Sequence, residues 1–282
     1  MADMDRLFHR STARFLVAAC LGLAVSCSPS SADSGKTAPK PVDAASARAA
    51  FLAEVNATAE KAGFPADLRD SLLEKVRAAP ERFAADLRAG VSGDPYLHVL
   101  VDKKKGLGET YAPADLTPLS GPYYAVGRKG LSLRAEAARA LETMGKAALK
   151  DGVRLVASST YRSYAYQRTV YARVIAEIGQ KAADRESAQP GHSQHQLGLA
   201  VDFGSIDDSF AKTKASRWLQ ANAGRFGWSI SYPQGYEAVT GYRWESWHYR
   251  YVGVPLATAI DRYFGGIQQY ALKFLDEWPS TK

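Results

Sequence analysis

The chain has 282 residues, 46% of them hydrophobic and 23% charged, with a formal net charge of +7. That length holds one full-sized domain with its own core plus a smaller appendage, and leaves no room for two large domains. Beyond the N-terminal segment there is no apolar run long enough to span a bilayer, and no basic cluster interleaved with aromatics of the kind that tracks nucleic acid, so a polytopic membrane protein and a nucleic-acid binder are both disfavoured.

Residues 1–27 read as an export signal: Arg6, Arg10 and Arg14 form a basic start, and Phe15 to Val25 an apolar stretch ending in small residues. Its end, L-A-V-S-C from Leu23 to Cys27, resembles a bacterial lipobox, with Ala24 where leucine is more usual. The resemblance implies lipidation of the Cys27 thiol and a membrane-anchored lipoprotein facing the periplasm or cell wall; an ordinary secretory signal or an uncleaved anchor is the alternative. Cys20 and Cys27 are the only cysteines, so the folded part has no disulfide framework and any metal must be held by His, Asp or Glu. The modest basic excess suits an anionic wall or membrane surface, or serves solubility alone.

Residues 28–45, rich in Ser, Ala, Lys and Pro, read as a flexible tether with an end-to-end distance of about 25 Å by random-coil scaling. Residues 46–94 carry apolar side chains at helical spacing, with Phe51, Leu52 and Val55 followed by Leu68, Leu72, Leu73 and Val76. Two or three short helices are predicted, broken near Gly63 to Pro65 and at Pro80. This piece is too small for a strong core of its own, so it is expected to dock on the larger domain or on a partner.

The main domain is placed at residues 95–282. Tyr96 to Asp102 reads as a strand and Lys103 to Gly121 as a long loop; Leu131 to Lys150 is the clearest helix, followed by a strand at Arg154 to Ser159 and a helix at Ser163 to Gly179. A loop from Gln180 to Gln196 leads to a strand at Leu199 to Phe203. A helix at Ala215 to Phe226, strands near Trp228 to Ser231 and Trp247 to Val252, and a final helix from Pro255 to Phe274 complete the pattern. Without a repeating strand-helix-strand unit, this is an α+β class: a small antiparallel sheet with packed helices, preceded by a short helical appendage.

Five histidines occur, at positions 9, 98, 192, 195 and 248, and two lie in sequences suited to chemistry. In S-Q-H-Q-L-G-L-A-V-D, Ser193 to Asp202, a loop histidine and a glycine precede an alternating strand, which brings Asp202 beside His195. In R-W-E-S-W-H-Y-R-Y-V-G, Arg243 to Gly253, His248 opens a β-rich run three residues after Glu245. Zinc held by His195, Asp202 and His248 would be tetrahedral with one position open to water, the catalytic rather than the structural pattern, with one ion per chain. Glu245 is placed to take a proton from that water. Singly, each histidine is ordinarily a surface or hydrogen-bonded core residue, Asp202 a strand-end cap and Glu245 a solvated charge; their combination points to a site.

The two clusters resemble the S-x-H-x-x-G-x-A-x-D and E-x-W-H motifs of the D-alanyl-D-alanine carboxypeptidase family, which includes VanY-type enzymes and L,D-carboxypeptidases. Ser158 to Gln167, S-S-T-Y-R-S-Y-A-Y-Q, is similar to the family's Y-R-S-x-x-x-Q segment, and Val99 to Lys104 to its opening strand. The similarity runs from about Tyr96 to Val254; Ser246 stands where many relatives have proline. It implies a Hedgehog/DD-peptidase-like fold, zinc on His195, Asp202 and His248, and Glu245 as base and later proton donor to the leaving amine. It further implies that Arg162 stabilises the oxyanion or holds substrate, and that Ser193, Gln167 and Trp247 line the pocket. The substrate would be a peptidoglycan stem peptide losing its terminal D-alanine through a D,D or an L,D bond, and the protein a monomer.

A D-Ala-D-Ala dipeptidase, a wall endopeptidase and a non-catalytic wall-binding lipoprotein are the alternatives within this frame. A serine hydrolase is a weaker rival, because G-H-S-Q-H, Gly191 to His195, puts histidine where the nucleophile elbow needs a small residue.

Overall fold

The computed structural model describes residues 43–279, so the export signal with Cys27 and nearly all of the tether lie outside the described residues. Among the described residues three helices come first: α1 (Ala44–Lys61), α2 (Ala66–Ala78) and α3 (Pro80–Gly90). Asp43 caps α1 by accepting from the Ser46 amide, and Pro80 sits at the first position of α3, where its missing N–H costs nothing. Among the described residues no helix is long and apolar enough to cross a membrane.

The remainder builds a five-stranded sheet flanked by helices. Its strands are β2 (Ala125–Val126), β4 (Val156–Ser159), β5 (Ala200–Phe203), β6 (Trp228–Ile230) and β7 (His248–Tyr251), in the order β2-β4-β5-β7-β6. A separate two-stranded ladder pairs β1 (Leu116–Pro118) with β3 (Ser132–Arg134). The helices are α4 (Ala135–Lys150), α5 (Tyr164–Ile178), α6 (Gln180–Glu186), α7 (Lys214–Asn222), α8 (Glu237–Thr240), α9 (Val254–Tyr263) and α10 (Gln268–Glu277).

The α+β class holds, and the sheet is antiparallel except at its β2 edge. There β2 runs parallel to β4, because the chain between them crosses over through β3 and α4 instead of turning back in a hairpin. Other expectations shift locally. Tyr96 to Asp102 is a 3-10 turn at Pro95–Leu97 followed by irregular chain. Its carbonyls at Tyr96, Leu97 and Val99 accept from the buried Arg250 guanidinium, at 3.0, 3.2 and 2.9 Å, rather than from a neighbouring strand. The predicted helix from Leu131 starts only at Ala135, the Gln180 to Gln196 loop contains α6, and the final helix is split into α9 and α10 at Gly265 and Gly266, whose φ angles are +63° and +75°.

Two apolar cores result. One lies between α4 and the sheet, with Leu141 and Met144 among Ala157, Val201, Phe203, Trp228 and Tyr249. The other joins the N-terminal helices to the C-terminal ones, with Val55, Leu72 and Phe83 among Leu256, Ile260 and Phe274. The appendage thus shares a core with α9 and α10, and Phe83 meets the Tyr263 ring edge-on at 4.9 Å.

Candidate metal centre

The alternation of a strand decides which side chains meet. In β5, Val201 and Phe203 enter the α4 core, so Ala200 and Asp202 point to the other face; in β7, Tyr249 and Tyr251 enter the core and His248 and Arg250 point away. Asp202 is the direct antiparallel partner of His248 and, on its other side, pairs with Ser159 of β4. Directly opposed residues carry Cβ atoms roughly 5 Å apart, close enough for two side chains to share one ion.

His195 reaches the same place from a 3-10 turn, Gln194–Leu197, that ends at Gly198 with φ +69°. The positive φ favours glycine at 198, and a Cβ there would also crowd the Arg134 and Leu116 side chains at 3.0 and 3.1 Å, which would have to give by a few tenths of an ångström. The turn aims His195 Nε2 at Asp202 Oδ2, 3.1 Å away, while His248 Nδ1 lies 3.1 Å from Asp202 Oδ1 and 3.3 Å from Glu245 Oε2. The donor atoms of His195, Asp202 and His248 all lie within 4.8 Å of one another, and all three residues are buried.

The electrostatics fit a cation. His195 Nε2 and Asp202 Oδ1 are buried and complete no hydrogen bond, which is costly unless something else occupies the space between them. Burial, reinforced by Arg162, lowers the His195 pKa to about 4, so its lone pair is available. Burial also opposes charge on His248, but contacts with Asp202 and Glu245 outweigh it and hold that pKa at about 9, so these carboxylates favour positive charge at this position. Asp202 stays ionised, its burial overcome by both histidines, whereas burial raises the Glu245 carboxyl above its ordinary range. Two imidazoles and one carboxylate, with a further carboxylate alongside, match a catalytic zinc site rather than a closed structural one.

Arg162 lies immediately before α5, whose N-terminus is capped by Ser163. Its Nη2 is 3.6 Å from Asp202, and its Nη1 donates to Gln167 Oε1 at 3.0 Å. Gln167 in turn donates to the Ala188 carbonyl at 2.7 Å, so both ends of its amide are engaged in holding Arg162. Ser193 is buried and accepts from the His195 amide; Trp247 is buried in the sheet core and lines the groove beside Glu245. All the residues singled out from the sequence within the described part therefore converge on one place.

Sequence reasoning missed Thr160, whose carbonyl accepts from His195 Nδ1 at 2.7 Å, and Tyr232, whose ring packs on His248 at 4.7 Å. It also passed over Gln194, 3.3 Å from His248 Nε2, although that residue stands inside the quoted motif.

Fold and site together define a buried centre of two imidazoles and one carboxylate that fits one zinc ion per chain. The family described as VanY, D-alanyl-D-alanine carboxypeptidase, matches residues 130–254. YodJ of Bacillus subtilis (strain 168), named as a carboxypeptidase, is 38% identical over 169 residues, which is 57% of this chain and 62% of that protein. The bifunctional D-Ala-D-Ala dipeptidase and carboxypeptidase VanXYC of Enterococcus gallinarum is 31% identical over 147 residues, 49% of this chain and 76% of that one. The solved structure of the LdcB LD-carboxypeptidase matches with a TM-score of 0.55 at 35% identity, covering 61% of this chain and 86% of that one. A vancomycin-resistance D,D-pentapeptidase, VanY, in complex with Zn(II) matches with a TM-score of 0.52 at 32% identity, covering 61% and 96%. The chain belongs to the VanY family of D-alanyl-D-alanine carboxypeptidases. It spans 62% of the length of the B. subtilis relative and 48% of that of a D-alanyl-D-alanine carboxypeptidase of Enterococcus faecalis (strain ATCC 700802 / V583).

Proposed function

We propose that this protein is a zinc-dependent carboxypeptidase that removes the C-terminal D-alanine from peptidoglycan stem peptides. The observation that carries the reading is the Glu245 carboxylate, 3.3 Å from His248 Nδ1 and beside the three-donor cluster. Zinc, when bound by His195, Asp202 and His248, would supply positive charge that acidifies water and polarises a carbonyl. Glu245, its basicity raised by burial, takes the proton of the attacking water and passes it to the leaving amine. Arg162 faces the same space and offers a fixed cation to the developing oxyanion, with Gln167 holding its guanidinium in place.

Two cavities meet at Arg162 and Glu245 and differ in size. The small one, about 40 Å³, is lined by His195 and His248 together with Gln167, Ser193, Tyr232 and Tyr242, so it adjoins the metal position and leaves room only for a small group such as an alanine methyl. The other is an open groove of about 480 Å³ along α5, lined by Tyr166, Val170, Val174 and Ile178, and can take the rest of the peptide. This asymmetry favours release of one terminal residue over an internal cut. Ser193 is then a wall of the alanine pocket, and Trp247 a wall of the groove.

Residues 95–282 would form the catalytic domain and 46–94 a helical buttress on α9 and α10. The exported chain would be held to a membrane through lipid on Cys27, across the tether at 28–45, and would act as a monomer. Incubation of the zinc-loaded protein with stem tetrapeptide and pentapeptide, with products identified by mass, tests the reaction and assigns an L,D or D,D bond. Release of D-alanine that is abolished by a chelator and restored by zinc is expected. Intact peptides with zinc-loaded protein would refute it.

A further inference from the structure

We infer that Gln194 and Gln268 are positioning residues that hold His248 in the only tautomer able to bind the metal. The inference rests on the zinc reading of the site and concerns how its two imidazoles are kept in opposite orientations.

A neutral imidazole has one N–H and one lone pair, and whatever accepts the N–H decides which nitrogen is left for the metal. For His195 the acceptor is the Thr160 carbonyl, 2.7 Å from Nδ1; a backbone carbonyl can only accept, so Nε2 is left for the metal. His248 is reversed, with Nδ1 facing Asp202 and Nε2 facing away. The group at its Nε2 is the side-chain amide of Gln194, with Oε1 at 3.3 Å. An amide can present either end, so this contact selects a tautomer only if the amide is itself fixed.

The fixing group lies two links further on. Gln268 Nε2 donates to the Ser229 carbonyl at 3.1 Å, which turns Gln268 Oε1 towards Gln194. Gln194 Nε2 donates to that oxygen at 3.3 Å, which turns its own Oε1 towards His248. Ser231 Oγ donates to the same Gln194 oxygen at 2.7 Å, but a hydroxyl can donate or accept and cannot decide the direction. Only the Ser229 carbonyl is committed, and it sets every donor in the chain up to His248. Gln194, Ser231 and Gln268 are 1, 2 and 1% exposed, so water does not offer alternative partners. Gln268 opens α10, so the chain also ties the metal ligand to the helical core.

The test is zinc affinity by chelator competition, together with solvent exchange of the His248 Nε2–H proton in the zinc-loaded protein, followed by NMR. Gln268→Met keeps the side-chain length but removes the directing amide, and should weaken zinc binding about 10- to 100-fold and speed exchange at His248 while leaving His195 unchanged. Gln194→Glu puts an acceptor that needs no orienting beside His248, so the double variant Gln194→Glu/Gln268→Met should recover most of the lost affinity. Wild-type affinity and exchange in Gln268→Met, or a double variant no better than the single one, would overturn the inference. If Gln268→Met does not fold, Gln194→Met must show the same weakening, and wild-type affinity there overturns the inference equally. A wild-type protein that binds zinc without cutting stem peptide would remove the proposed reaction and leave this inference standing; one that binds no zinc would remove both.

Discussion

The helical core and the polar face of the sheet are buried alike but for opposite reasons. In the first, Val55, Leu72, Phe83, Phe264 and Phe274 exclude water among themselves, and polar contacts sit at its rim, where Asp86 meets Arg262 and the Tyr263 hydroxyl. In the second, His195, Asp202, Glu245 and His248 are 1 to 8% exposed within a few ångströms of one another, with atoms that complete no hydrogen bond. Packed hydrocarbon stabilises a fold by about 25 cal/mol per Å² removed from water, whereas buried charge costs stability unless fully paired. The difference separates the part of the molecule that holds the fold from the part that the fold must hold in place against the cost of burying polar groups.

Exchanging the consequences of the two regions would break that division. Glu245→Gln should lower turnover of stem peptide by about 10²- to 10⁴-fold with zinc affinity nearly unchanged, measured as kcat beside a chelator titration; loss of zinc instead would make Glu245 a ligand. Phe83→Ala should do the reverse, costing about 3–5 kcal/mol in a denaturant titration while leaving kcat and KM within a factor of two under folding conditions. If Phe83→Ala changed catalysis first, the helical core would be part of the site.

The pH dependence of the metal-free protein sharpens the same contrast. His248, held at about 9 against an ordinary 6.5, contributes stability that is present below pH 6.5 and lost as pH rises towards 9. His195, lowered to about 4, contributes stability that is lost as pH falls from 6.5 towards 4. Thermal unfolding should therefore peak near pH 6.5 without metal and become flatter once zinc replaces the His248 proton. The smallest effect is expected at the joint between α9 and α10, where Gly265→Ala would force φ +63° on a residue with a Cβ and cost about 1 kcal/mol, read from the unfolding midpoint.

Much of the site is legible in the chain because its parts are local. His195, Gly198 and Asp202 fall within eight residues, Glu245 and His248 within four, and period-two alternation in β5 and β7 already puts Asp202 and His248 on the face away from the core. The N-terminal helices are legible for the same reason: their apolar spacing and their breaks at Gly63 and Pro80 act over single turns. What they pack against is not, since the partners Leu256, Ile260 and Phe274 lie nearly two hundred residues further on.

Tyr96 to Asp102 shows the limit most directly. Its alternating apolar residues fit a strand, but its carbonyls are claimed by Arg250, more than 150 positions away, and no local pattern can announce that partner. Gln194 reads as a variable position inside a motif until Gln268 and Ser229 are seen beside it. The sequence by itself determined which residues are the candidates for the chemistry and the faces they occupy, because side-chain direction follows from neighbouring φ and ψ angles. Only the tertiary structure decided which hydrogen-bonding groups answer one another, because a buried donor or acceptor takes whatever partner the packed chain brings within 3 Å or so, irrespective of its distance in sequence.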